Sequence, residues 1–188
     1  MSLLITPTVL NSYDWLKKCP PSWKKKAYDD LSNMLNRKWV PPKPAVQRGI
    51  DFEKYVCRRA NQKIIQSKGT PQFQGIIKTI QGGQFQKKCK FYIEVEGKEY
   101  CCYGKIDVAF PDLIIDIKTT GSYRGKNSYL SGWQHKFYTI GSRVPNFLYL
   151  IVEFDGEQNK IIEVYEVEYR CDNPAEVKEE ITNTYQSS

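Results

Sequence analysis

No Cys-x-x-Cys pair occurs in this sequence, no apolar run approaches the length of a membrane span, and only one histidine, His135, is present. Each scarcity removes a class of protein. Cys19, Cys57, Cys89 and Cys171 are isolated, and Cys101-Cys102 are adjacent in a strand-like stretch. The six cysteines therefore offer neither a disulfide framework nor zinc-ligand spacing. A reduced protein is expected. A spanning helix needs about 20 apolar residues, so no membrane segment is expected either. With no signal-peptide pattern, the expected location is the cytoplasm.

What is present in excess is positive charge, unevenly placed. Residues 1–90 hold 18 Lys and Arg against 5 Asp and Glu, a net of +13, while residues 91–188 hold 10 against 16, a net of −6. A basic half beside an acidic half suits a polyanionic substrate; a basic surface kept for solubility is the plainer alternative. The length of 188 residues predicts one domain. Its expected parts are an N-terminal helical segment over 1–45, a core over 46–170, and a C-terminal helix and tail over 171–188.

The acidic half contains the stretch around which the rest is organised, GKIDVAFPDLIIDIKTT from Gly104 to Thr120. Aromatic and β-branched residues predict two short strands joined at Pro111-Asp112. If those two residues form the loop, opposed positions sum to 223 and Asp107 faces Asp116. Opposed side chains on one face of a hairpin lie about 5 Å apart. Lys118 projects from the same face as Asp116, while Ile117 points away. Two facing carboxylates beside Ile114, Ile115 and Ile117 destabilise a sheet unless a cation lies between them. Carboxylate oxygens suit Mg²⁺ or Mn²⁺, and Lys118 adds a charge able to hold a phosphate or a water beside the ion.

The rest of the chain predicts mixed elements. A helix capped at Thr8 runs to about Lys18 and is stopped by Cys19-Pro20-Pro21. A second, capped at Ser22, carries Trp23, Leu31 and Leu35 and opens on Lys24-Lys25-Lys26, a phosphate contact or a solvated cluster. A third, from about Ala45 to Ser67, has a stripe of Val46, Ile50, Glu53, Cys57, Ala60 and Ile64. Glu53 is its one ionisable member and requires a cation or donor if buried. Strands are expected over Phe73–Ile80, Phe85–Val95 and Glu99–Phe110, and again over Phe147–Phe154 and Ile161–Tyr169. Between Thr119 and Ser128 lies a small polar loop whose Tyr123, Arg124 and Lys126 suit base stacking and phosphate contact, or are simply solvated. A helix over Tyr129–Ser142 puts Gln134 and Tyr138 on one face, with His135 beside it and expected at the surface. A short helix capped by Asp172 or Asn173 closes the chain.

These residues carry a resemblance. Asp107 followed by Asp116-Ile117-Lys118 resembles the Asp…(Asp/Glu)-x-Lys signature of the PD-(D/E)xK nuclease superfamily. Gly49-x-x-x-Glu53 and Gln134-x-x-x-Tyr138 resemble the helical first motif and the QxxxY motif of its RecB-type and phage-exonuclease-like branch. The motifs occur in family order across roughly residues 8–155. Ile106 replaces the family proline, and Glu53 stands where RecB-type members commonly have histidine. The resemblance implies an α/β fold with a central mixed sheet flanked by helices, a restriction-endonuclease-like core. It implies a metal-dependent DNA nuclease, most simply an exonuclease on linear ends, with an endonuclease or a catalytically silent DNA-binding module as alternatives. Asp107, Asp116, the Ile117 carbonyl and Glu53 would hold Mg²⁺ or Mn²⁺. Lys118 would act on the attacking water, Gln134 would orient the Lys118 region, and Tyr138 would contact a phosphate. Ser12-Tyr13…Cys19-Pro20 also resembles relatives that carry an iron–sulfur cluster, but only Cys171 lies near the C-terminus, so no cluster is expected.

Overall fold

Strand β3 (Lys98–Ala109) is the hinge of the architecture, because it has neighbours on both sides and two of them share one side. Strand β2 (Gln84–Val95) runs antiparallel along its whole length, joined by the Glu96-Gly97 turn. On the other side, β1 (Leu3–Ile5) lies parallel to Tyr100–Cys102, while β4 (Leu113–Thr120) pairs with Val108 and Ala109. Strand β5 (Asn146–Phe154) then runs parallel to β4, and β6 (Ile161–Arg170) antiparallel to β5. This is a mixed sheet of six strands. The computed structural model describes residues 3–38, 40–62, 69–156 and 160–186.

Helices cover both faces, as the continuously buried strand β5 requires. Val108, Ile115, Ile117, Leu148, Leu150 and Val152 pack against α3 (Pro44–Asn61) and α4 (Pro71–Ile80) through Val56, Ala60, Ile76 and Ile80. On the opposite face, Ile114, Phe147, Tyr149 and Ile151 meet Leu10 of α1 (Pro7–Lys18), Phe137 of α6 (Gln134–Ser142) and Ile181 of α7 (Pro174–Gln186). Helix α2 (Lys24–Leu35) packs on α1 through the buried Ala27 and Leu31. Among the described residues, no helix is long and apolar enough to cross a membrane.

Several expectations are corrected. Residues 73–80 form no strand but the helix α4: Thr70 accepts from the Phe73 N–H, Pro71 opens the first turn, and Phe73, Ile76, Ile77 and Ile80 follow helical spacing. The expected helix over 129–142 is broken into α5 (Asn127–Leu130) and α6. Asn11 of α1 accepts the Trp133 N–H at 3.0 Å, and Asp14 accepts its indole N–H at 2.6 Å, which fixes the break. His135 is not at the surface: it is 1 % exposed, with Nδ1 3.1 Å from the Tyr149 hydroxyl. Burial, with the nearby Lys136 charge, lowers its pKa to about 4, so it is neutral at ordinary pH. The first helix is capped by Thr6 rather than Thr8, and a 3₁₀ turn at Pro21–Trp23 replaces the Ser22 cap. Helix α3 ends at Asn61, and the last part of its expected span, including Ile64, lies outside the described residues. Strand β1 was not anticipated from its three residues.

Candidate active site

Because β2 fills one side of β3, β1 and β4 compete for the other. They share it by diverging. The β3–β4 ladder holds only Val108–Ile115 and Ala109–Ile114, which is the register expected from the Pro111-Asp112 loop. The next position would oppose Asp107 to Asp116, and there the ladder stops. The Asp107 carboxylate takes over from the missing backbone acceptor: its Oδ2 receives the Ile117 N–H at 2.9 Å. Asp107 and Asp116 therefore lie together at the fork, the first nearly buried and the second with no exposure at all.

Lys118 faces the same fork. Its Nζ is 2.6 Å from Asp116 Oδ2, yet that oxygen lacks a well-directed hydrogen bond. Burial alone would lower the Lys118 pKa, but the Asp116 charge outweighs it and raises it, so this side chain is a fixed cation. Glu53 arrives from α3, on the opposite sheet face from α6. A Cβ on Gly49 would stand 2.7 Å from Thr119 Oγ1, so the glycine one turn before Glu53 lets the helix approach β4 this closely. The charges of Glu53 and Asp116 both act on Asp107, which makes a row of three carboxyl groups.

From the other face, Gln134 begins α6 and donates its amide to Asp116 Oδ1. The same amide is 3.2 Å from the Tyr138 hydroxyl, and that hydroxyl donates to the Lys105 carbonyl at 2.9 Å. The Tyr138 ring rests on Gly104, where an added Cβ would meet Cε1 at 2.4 Å. Gly104→Ala should therefore displace Tyr138 and, through it, Gln134. The expected cost is about 1–3 kcal/mol of stability by urea denaturation, the usual range for overpacking. An unchanged midpoint would show that the ring yields without cost.

The electrostatics of the row are unusual. Burial first, then the charges of Asp116 and Glu53, push Asp107 up to about 9. Burial also raises Asp116 against the pull of Lys118, and raises Glu53 against the Gln86 hydrogen bond. Carboxyl groups that hold protons this tightly occupy a place that a divalent cation would suit, and Asp116 Oδ2 is the under-satisfied oxygen within it. Among the described residues, no three Asp, Glu, His or Cys side chains yet close round one point as a finished cage. The oxygens are hard donors of the kind Mg²⁺ or Mn²⁺ takes, arranged as a row with Lys118 against one end.

The other sequence candidates are placed differently. Tyr123 lies flat on Tyr165, ring centroids 4.0 Å apart, and within 6.0 Å of Tyr129. Glu153 secures this stack by accepting from the Tyr165 hydroxyl at 2.8 Å and the Tyr123 N–H at 3.4 Å. Arg124 lines a polar cleft of about 310 Å³ with Thr120, Gly121, Ser122, Ser128 and Tyr129, at the end of β4; Lys126 is exposed beside it. The lysine triplet is at the start of α2, outside the fork. There Lys24 donates to the Leu16 and Lys17 carbonyls and Lys26 pairs with Asp30 at 2.6 Å; Lys25 is exposed. Two residues at the site were not anticipated: Gln86, whose amide donates to Glu53 Oε1 at 2.6 Å, and Tyr129 on the cleft wall. The signal for Gln86 was available. A two-residue Glu96-Gly97 turn sets Gln86 opposite Asp107, by the same arithmetic that opposed Asp107 to Asp116.

No protein-family profile matches this sequence, and no curated protein sequence matches it. Solved structures do. The chain superposes on the crystal structure of SSO0001 with a TM-score of 0.60 at 14% identity, covering 100% of this chain and 78% of that one. It superposes on the alkaline exonuclease LHK-Exo from Laribacter hongkongensis with a TM-score of 0.57 at 12% identity, covering 97% and 86%. LHK-Exo in complex with dAMP gives a TM-score of 0.53 at 14% identity over the same shares, 97% and 86%. At such identities the likeness concerns the fold alone: a mixed central sheet flanked by helices, shared with these structures.

Proposed function

We propose that this protein is a metal-dependent deoxyribonuclease of the QxxxY type, hydrolysing phosphodiester bonds from the ends of linear DNA. The observation that carries this reading is the convergence at one fork of Asp107, Asp116, Lys118 and Glu53, with Gln134 and Tyr138 closing on them from α6. Asp107, Asp116, Glu53 and the Ile117 carbonyl would hold Mg²⁺ or Mn²⁺. When bound, that ion supplies a Lewis acid and makes a water nucleophilic near neutral pH. Lys118, held protonated, positions that water and offsets negative charge developing on the phosphate. Gln134 holds Asp116 in orientation; Tyr138 is buried with its hydroxyl held by the Lys105 carbonyl and Gln134, so it supports Gln134 rather than making the phosphate contact expected of it. Arg124, Lys126 and the exposed lysines at α2 bind backbone phosphates without reading sequence. Tyr123, already stacked, serves as a wall of that path.

The test uses linear and covalently closed DNA, single- and double-stranded, with Mg²⁺ or Mn²⁺. Linear DNA should be consumed while closed circles persist, and activity should fall steeply as salt rises to physiological strength. Cutting of circles into discrete fragments would favour an endonuclease. Metal-free binding without turnover would make the protein a silent DNA-binding module.

A further inference from the structure

Among the described residues, four non-glycine residues have positive φ: Arg37, Gln86, Glu96 and Arg143. Three have a local reason. Arg37 follows α2, Glu96 is in the β2–β3 turn, and Arg143 caps α6. Gln86 is inside a strand, at φ +56°. Its neighbours Phe85 and Lys87 pair with Val108 and Ile106 in one continuous register, so Gln86 stands across from Asp107. That one pair is absent from the ladder. A left-handed residue without glycine's freedom is strained, and such strain gathers where it aims a side chain. Here the aim is visible: the amide reaches Glu53 Oε1 at 2.6 Å across 33 residues of chain.

We infer that Gln86 is a positioning residue for Glu53, holding its carboxylate toward Asp107 so that the fork takes a divalent cation. The inference rests on the metal-dependent reading of the fork but concerns metal binding, which is measured without DNA. Gln86 acts through Glu53 and touches neither the cation nor the substrate. Its amide takes one carboxylate oxygen and fixes the rotamer of a partly buried side chain in the middle of α3. Removal of such supporting partners commonly lowers metal affinity or activity 10–100-fold.

The experiment measures Mn²⁺ affinity by electron paramagnetic resonance in the full chain, together with thermal melting of the metal-free protein. Gln86→Asn and Gln86→Gly both accept positive φ, and neither reaches Glu53. Both should melt at or above the wild-type temperature and bind Mn²⁺ about tenfold more weakly. On linear DNA, kcat should fall with little change in KM. In a Glu53→Gln background, adding Gln86→Asn should cause no further loss of Mn²⁺ affinity, because the positioned group is already gone. Wild-type Mn²⁺ affinity in Gln86→Asn, or losses that add fully in the double variant, would overturn the inference. If the wild type binds Mn²⁺ in a Gln86-dependent way yet cleaves no DNA, the positioning role stands and the nuclease reading fails.

Discussion

Asp116→Asn should reduce cleavage of linear DNA by roughly 10³-fold or more and weaken Mn²⁺ binding as well. Asp116 has no exposure, receives Gln134 on one oxygen and faces Lys118 with the other. Neutralising it removes a charge that both the ammonium and a metal require. Lys118→Ala should cause a comparable loss of cleavage by a different route. It deletes the cation that positions water, but leaves all three carboxyl groups, so Mn²⁺ should still bind. The pair of variants thus separates ligand from water-positioning group. Fluorescent-substrate hydrolysis and Mn²⁺ titration check both, and near-wild-type cleavage in either variant would remove the assignment.

The second large effect is on stability. Asp107 has a folded pKa of about 9, against 3.8 for the ordinary side chain, so between those values the native state holds more protons than the unfolded one. Stability from this group is therefore full below about pH 4 and falls as pH rises toward 9. His135 has the opposite sign: its depressed value of about 4 means stability is lost as pH falls below 6.5. The two effects oppose each other between pH 4 and 6.5, so the window from 6.5 to 9 isolates the carboxyl row. Metal-free protein should melt at progressively lower temperature across that window, and millimolar Mg²⁺ should flatten the decline. Asp107→Asn keeps an acceptor for the Ile117 N–H while removing the carboxyl that must stay protonated in the fold but ionises on unfolding. At pH 8 it should raise the metal-free melting temperature by about 3–6 °C, corresponding to roughly 1–2 kcal/mol, while abolishing cleavage. A melting temperature unchanged between pH 6.5 and 9 would show that the row is better solvated than its burial implies.

Much of this site could be read from local rules because hairpins make register a matter of counting. The Pro111-Asp112 loop fixes Asp107 beside Asp116, and alternation puts Lys118 with them. Helical spacing likewise brings Gln134 and Tyr138 together. What escaped were features decided by distant partners. Residues 73–80 are rich in isoleucine, which fits strand or helix, and the cap at Thr70 decides for helix. The break before Gln134 depends on Asn11 and Asp14, more than a hundred residues away in sequence. His135 looked exposed because it is polar; the hydroxyl that allows its burial belongs to Tyr149 on β5. Tyr123 looked available to a base because its partner, Tyr165, lies beyond β5, on β6.

The two outer strands of the sheet differ in sign. Among the described residues, strand β2 pairs only with β3 and exposes Lys87, Lys88 and Lys90; β6 pairs only with β5 and exposes Glu163, Glu166 and Glu168. Each border repels a second copy of itself, so neither can grow a continuous ribbon by like-edge pairing. The same division gives the molecule an electric axis in the plane of the sheet. In the field of any polyanion, that axis produces a torque turning β2, and with it the strained Gln86, toward the approaching charge.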